Sequence, residues 1–139
     1  MKKTFFCTVA LITLSITACK KYPDGPTVSL ISKTERVANN WKVAQAIDNG
    51  KDVTSSYNKY ELTTTKSGGA ELSAKFDIFG ATFDYSTKGT WAFTNNNEKI
   101  SFDFENDNAD GVYRVLKLMS DEMWLKKDGG TLELHYVTR

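Results

Sequence analysis

Two cysteines, two prolines and one histidine are all that these 139 residues hold of three residue types on which small proteins often depend. Cys7 lies inside an N-terminal apolar run and Cys19 closes it. The remainder therefore has no thiol for a disulfide, a nucleophile or a metal. With His135 as the single imidazole, the usual acyl-transfer pairs and zinc ligand sets cannot be assembled. His135 stands between Leu134 and Tyr136 and shares the opposite, polar face with Glu133, where a histidine is ordinarily solvated. An excess of one charge is missing as well. The 18 basic residues face 17 acidic ones, without the basic excess that nucleic-acid binding requires and without an acidic tail. No apolar run reaches the length of a membrane-spanning helix, and no metal or cofactor is implied.

The N-terminal run carries the clearest motif. Lys2 and Lys3 precede an apolar core from Phe5 to Ile16, broken only by Thr8, Thr13 and Ser15. Its end, Ile16-Thr17-Ala18-Cys19, resembles the cleavage motif of bacterial lipoprotein signals. The resemblance implies cleavage before Cys19, acylation of the cysteine thiol and new amine, and anchoring to a membrane of the cell envelope. Lys20 directly after the cysteine implies, by the same resemblance, the periplasmic side of the outer membrane. Residues 1–18 are thus expected to be signal peptide. Residues 19–28, with both prolines and a Pro-Asp-Gly turn, read as a tether, and 29–139 as one domain. Taking 18 residues from 139 leaves 121, enough to build a core without metal or disulfide help. Lys2 and Lys3 leave with the signal, so 16 basic residues remain against 17 acidic ones.

Within the domain, residues 29–39 predict one short helix. Ser32-Lys33-Thr34-Glu35 has the spacing of a capping box, so the helix starts there or one turn earlier. Leu30, Thr34, Val37 and Ala38 would form its inner face, and Asn39 or Asn40, tolerant of left-handed geometry, would stop it. From Trp41 onward the period is two. Trp41, Val43, Gln45 and Ile47 alternate with polar or small residues, and so do Leu72, Ala74, Phe76 and Ile78. The pattern recurs at Tyr60 and Leu62, Phe83 and Tyr85, Trp91 and Phe93, and Ile100, Phe102 and Phe104. It returns at Met123 and Leu125 and ends at Leu132, Leu134 and Tyr136. Hairpin-type connections separate about nine such segments, among them Asn49-Gly50, Asn95-Asn96-Asn97 and Asp128-Gly129-Gly130. Ile78-Phe79-Gly80-Ala81 reads either as a tight hairpin or as a bulge in one long strand. An all-β, antiparallel up-and-down barrel of eight or nine strands follows, because closure removes exposed edges that the chain has no proline to blunt.

The short helix, the tryptophan opening the first strand and the meander after it together resemble the lipocalin-like lipoproteins of Gram-negative bacteria, over residues 29–139. The local motif is the Gly-x-Trp of that superfamily, here Asn39-Asn40-Trp41 with asparagine in place of glycine. The resemblance implies that Trp41 plugs the barrel end beneath the helix. It also implies a basic residue near the last strand across that tryptophan, with Arg139 or, less well matched, Arg114 in the role.

Asp103, Glu105, Asp107 and Asp110 form the densest acidic group, with the first three on one strand face. Calcium favours such oxygens, but the fixed glycine and terminal glutamate of a calcium loop are missing, and a solvated hairpin end is expected. Ten aromatic rings fall on the apolar face, so the barrel interior is expected to be mainly packed, with a small pocket at the open end opposite the helix. Between Val112 and Met119 the alternation is strained. Either Arg114 points inward with Val112, Leu116 and Leu118, or Lys117 does with Tyr113, Val115 and Met119. Trp124 would point outward and mark a contact surface. The leading functional expectation is a membrane-anchored, non-enzymatic binding protein for a small hydrophobic ligand, contacted by Arg114, Trp91, Phe93, Phe102 and Tyr136. The alternative is an anchored adaptor whose packed barrel meets a protein or glycan through its outer surface. Interior volume separates the two, since ligand pockets run to several hundred Å3.

Overall fold

The computed structural model describes residues 22–23 and 30–139. The expected signal peptide, Cys19 and the rest of the tether lie outside the described residues. Among those described, no helix is long and apolar enough to cross a membrane.

Helix α1 (Lys33–Val37) begins at the capping box, the later of the two expected starts. The Ser32 hydroxyl accepts the Glu35 N–H at 3.2 Å, and the Glu35 carboxylate accepts the Ser32 N–H at 3.3 Å. The inner face differs in part from the expected one: Val37 turns inward as expected, but Arg36 joins it in place of Leu30 and Thr34, which are exposed. A helix of five residues is less than two turns long, so only its last turn reaches the barrel. Neither Asn39 nor Asn40 is left-handed. Ala38 ends the helix in extended geometry, at φ −71° and ψ 91°.

The chain then runs as nine strands: β1 (Asn40–Asp48), β2 (Lys51–Asp52), β3 (Tyr60–Thr64), β4 (Gly69–Ile78), β5 (Ala81–Thr94), β6 (Lys99–Phe104), β7 (Gly111–Leu118), β8 (Glu122–Lys127) and β9 (Glu133–Thr138). From β3 to β9 each strand pairs antiparallel with the next, β1 pairs with β3, and β9 returns to β1. Eight strands thus close a barrel. β2 is the ninth, a two-residue hairpin return on β1 through Asn49-Gly50. Both turn residues are left-handed (φ 48° and 76°), the geometry that matches strand twist in a two-residue hairpin.

The core follows the period-two reading over most of its length. Trp41, Leu62, Ile100, Phe102, Phe104, Met123, Leu125, Leu134 and Tyr136 are all buried. Two bulges break the alternation. Between Val43 and Gln45 the register of β1 against β9 shifts, so Ala46 is buried and Gln45, expected inside, is exposed. Between Val115 and Lys117 the register of β7 against β8 shifts in the same way. Val115 and Leu118 are both buried, and Arg114 is exposed. Neither expected phase of this strand is realised, because one extra residue lets each half keep its apolar side inward.

The segment 78–81 is a tight hairpin: Ile78 pairs with Ala81, and Phe79 and Gly80 are left-handed (φ 51° and 81°). Both arms outrun the barrel. β3 accompanies β4 only as far as Ala74, and β6 accompanies β5 only from Gly89 onward. Phe76, Ile78 and Phe83, expected in the core, lie beyond the rim and are exposed.

Candidate functional site

The barrel interior is filled by side chains. The space left among Leu62, Leu72, Phe102, Phe104, Tyr113 and Tyr136 is about 30 Å3, the share of one water molecule in the liquid. Of the expected ligand contacts, Phe102 and Tyr136 are brought together here. Phe102 stacks parallel to Phe104 at 5.9 Å and meets Tyr113 edge-on at 6.0 Å. Burial pushes the Tyr136 phenol well above its ordinary range, so it stays neutral at physiological pH.

Trp91 and Phe93 continue the same core toward the end closed by the helix, Trp91 standing directly across the ladder from Phe102. Their rings meet edge-on at 5.5 Å, and Trp91 Nε1 donates to Thr65 O at 2.9 Å. Trp41 plugs the same end, 1% exposed, with its Nε1 donating to Val37 O at 2.9 Å. Asn39 secures this corner through its side chain, whose Nδ2 donates to Ser120 O at 3.1 Å and whose Oδ1 accepts the Asn40 N–H at 2.9 Å. The basic residue here is Arg36, which the period-two reading missed because it comes from the helix. Its guanidinium donates to Leu118 O at 2.6 Å, and Nε is the one buried side-chain polar atom without a partner among the described residues. Arg139, expected in this role, is instead an exposed partner of Glu61. Tyr22 completes the closure, 3% exposed, with its hydroxyl donating to Asn97 O at 2.9 Å. Burial pushes its phenol up to about 12, against the opposing pull of Arg36.

Arg114 is on the outer face. It borders a depression of about 370 Å3 beside Tyr22 and Lys99, apart from Phe102 and Tyr136. Trp124 also faces outward but is covered. His135 stacks on it at 4.1 Å and Lys117 Nζ sits 4.5 Å from its ring. His135 Nε2 lies 2.6 Å from Glu133 Oε1, on the polar face as expected, but its side chain is only 13% exposed rather than solvated, because Trp124 covers it. The acidic group does not share one face, because β6 ends at Phe104 and residues 107–109 turn as a 3-10 helix. Asp110 uses its carboxylate to accept the Phe104 N–H at 2.7 Å. Among the described residues no three His, Cys, Asp or Glu side chains converge on a metal-sized site.

The open end is accessible and apolar. A cup of about 260 Å3 lies above the packed core, lined by Tyr60, Leu72, Phe76, Tyr85, Asn106 and Ala109. Tyr60 meets Phe76 edge-on at 5.9 Å, so one wall of the cup continues up the β4–β5 hairpin. There the apolar face carries Ile78 and Phe83, 50% and 54% exposed, and ends on a fully exposed Phe79 at the turn. The opposite face of the hairpin is polar and ion-paired, through Lys59 with Asp77 and Lys75 with Asp84. The sequence does contain this signal, in the apolar Ile-Phe at a turn, but periodicity alone reads such residues as core.

No family model matches the chain, and no curated protein matches it. Among solved structures, a DUF4847 family protein from Bacteroides vulgatus ATCC 8482 is similar, with a TM-score of 0.51 at 12% sequence identity. The alignment covers 75% of this chain and 94% of that one. At this identity the likeness shows the fold alone.

Proposed function

We propose that this chain is a non-enzymatic, lipocalin-like envelope lipoprotein, anchored through Cys19, whose barrel acts as an adaptor and binds a partner protein at its open end. The observation that carries this reading is the distribution of apolar side chains. They leave the interior with about 30 Å3 free, too little for a ligand, and then continue exposed along the β4–β5 hairpin. Phe79 adds to it. A phenylalanine held at positive φ costs folding about 1 kcal/mol, and a fully exposed ring returns nothing through burial. Folding does not account for this residue, whereas contact with a partner does. The ligand reading, with Arg114, Trp91, Phe93, Phe102 and Tyr136 around an enclosed molecule, has less support because the four aromatic residues pack into one core and Arg114 lies outside it.

The proposed anchor suits this arrangement. Tyr22, packed at the closed end, follows Cys19 by three positions, at most about 10 Å of chain. A lipid on Cys19 would hold the closed end near the membrane and turn the open end away from it. The test is photo-crosslinking in the native envelope with p-benzoylphenylalanine at position 79, and at position 120 on the closed end as control. A discrete protein adduct from 79 and none from 120 is expected. The absence of any adduct from 79 overturns the reading.

A further inference from the structure

The upper part of β5 has a free backbone edge. In an antiparallel strand the N–H and C=O of one residue point to the same side, and the side alternates along the chain. Trp91 N–H donates to Gly68 O on the β4 side, while Lys88 C=O accepts from Glu105 N–H on the β6 side. Counting back in twos from Lys88, the N–H and C=O of Ser86, Asp84 and Thr82 point to the side where β6 has already ended. Beyond Glu105 the chain turns away, its last link to β5 being Asn106 N–H on the Thr87 hydroxyl at 3.2 Å. No described strand pairs with residues 81–87 on that side. Such an edge is a template for another strand.

Resting on the reading of the open end as a partner surface, we propose that this edge receives an extended segment of the partner protein, apolar at alternate positions and carrying a basic residue opposite Asp84. Six residues, 81–86, offer about 20 Å of edge, enough for one short strand. A strand laid there directs every second side chain to the face shared by Phe83 and Tyr85, next to the cup beneath Tyr85. Main-chain bonds supply affinity in this mode of recognition, and pockets for alternate side chains supply selectivity. The charge pattern names the occupant. The side chains beside the free groups are Thr82, Asp84 and Ser86, so the single charge is a carboxylate. Its nearest cation, Lys75, stands 3.9 Å away, with both side chains largely in solvent. A second copy of this chain, paired antiparallel about Asp84, would set two carboxylates directly opposite each other, which disfavours it. Paired about Phe83 or Tyr85 instead, two copies would set Thr82 or Ser86 opposite Asp84 and give neither carboxylate a cation across the edge, whereas a basic residue of a partner supplies one.

The test uses the full chain in detergent micelles and two end-blocked heptapeptides of alternating threonine and valine, one with a central lysine and one with a central glutamate. On adding the lysine peptide, amide hydrogen exchange should slow at Thr82, Asp84 and Ser86 and stay unchanged at Phe83 and Tyr85, which already bond to β4. The lysine peptide should bind on the order of five-fold tighter than its twin, and Asp84→Lys should reverse the order. Ser86→Pro removes one outward N–H and leaves the ladder to β4 intact, so it should weaken the lysine peptide about ten-fold. Binding without slowed exchange at the three alternating amides would mean docking on the aromatic face and overturns strand addition. So does failure of both peptides to bind at millimolar concentration, and so does a dimer of this chain that Ser86→Pro abolishes. A position-79 adduct that survives Ser86→Pro also overturns strand addition while leaving the surface reading in place. Loss of that adduct in the otherwise unaltered chain removes both.

Discussion

At the scale of single residues, the closed end of the barrel is organised by backbone carbonyls. Val37 O accepts both Trp41 Nε1 and the Thr64 hydroxyl, and Leu118 O accepts Arg36. Each ties the short helix to a strand, which compensates for a helix too short to be stable alone. Glu35 performs the same task at the surface, bridging Ser32 and Lys66. The Lys66 hydrogen bond first, and then those from Ser32, lower its carboxyl from 4.5 to about 2. A depressed folded value means that the contribution is complete above pH 4.5 and is lost as pH falls through 2. The helix cap should therefore open between these limits, and Glu35→Gln should remove that acid dependence. Following the Ser32 and Glu35 amide resonances against pH checks it. A Glu35 midpoint near 4.5 would show that the bridge does not form.

At the scale of elements, the bulges in β1 and β7 and the hairpin of β4 and β5 decide which residues reach solvent. Gly89 is where β5 separates from the barrel. It pairs with Phe104, the last residue of β6, and an added Cβ would stand 2.0 Å from Asp103 O and 2.6 Å from Phe104 Cα. Neither atom is the end of a flexible side chain, so the two strands would have to part. Gly89→Ala should destabilise the protein by about 1–3 kcal/mol, the range of overpacking, or more. Denaturant unfolding measures this, and a loss below about 0.5 kcal/mol, ordinary for a neutral surface change, would refute the close approach.

At the scale of the whole molecule, closure through β1 and β9 gives two unlike ends. One carries the helix, Trp41, Arg36 and Tyr22, and the other carries the cup and the hairpin. The proposed acyl chains would act at the first. Each buried methylene contributes about 0.8 kcal/mol, and more than one chain is needed for stable attachment. Cys19→Ala should release the protein from the membrane fraction or leave it unprocessed, read by fractionation and mass. A variant that still partitions with the membrane and carries the wild-type mass would refute the anchor.

The amino-acid sequence by itself determined the fold class, the connections and most of the core. Alternation is a local property, and a hairpin meander pairs neighbours in sequence, so Leu62, Ile100, Phe102, Met123 and Leu134 were legible as inward residues. The capping box was legible for the same reason, since its partners are three residues apart. Only the tertiary structure decided where the barrel stops. Phe76, Ile78 and Phe83 carry the same alternation as the core, and their exposure depends on β3 and β6 ending early, a fact about other segments. The phase of β7 likewise depended on its bulge against β8, which moved Arg114 outward. Arg36 took the place expected of Arg139 because burial at the closed end follows from how helix and barrel meet. Period counts a residue's neighbours along the chain, whereas burial and free backbone edges depend on partners many positions away.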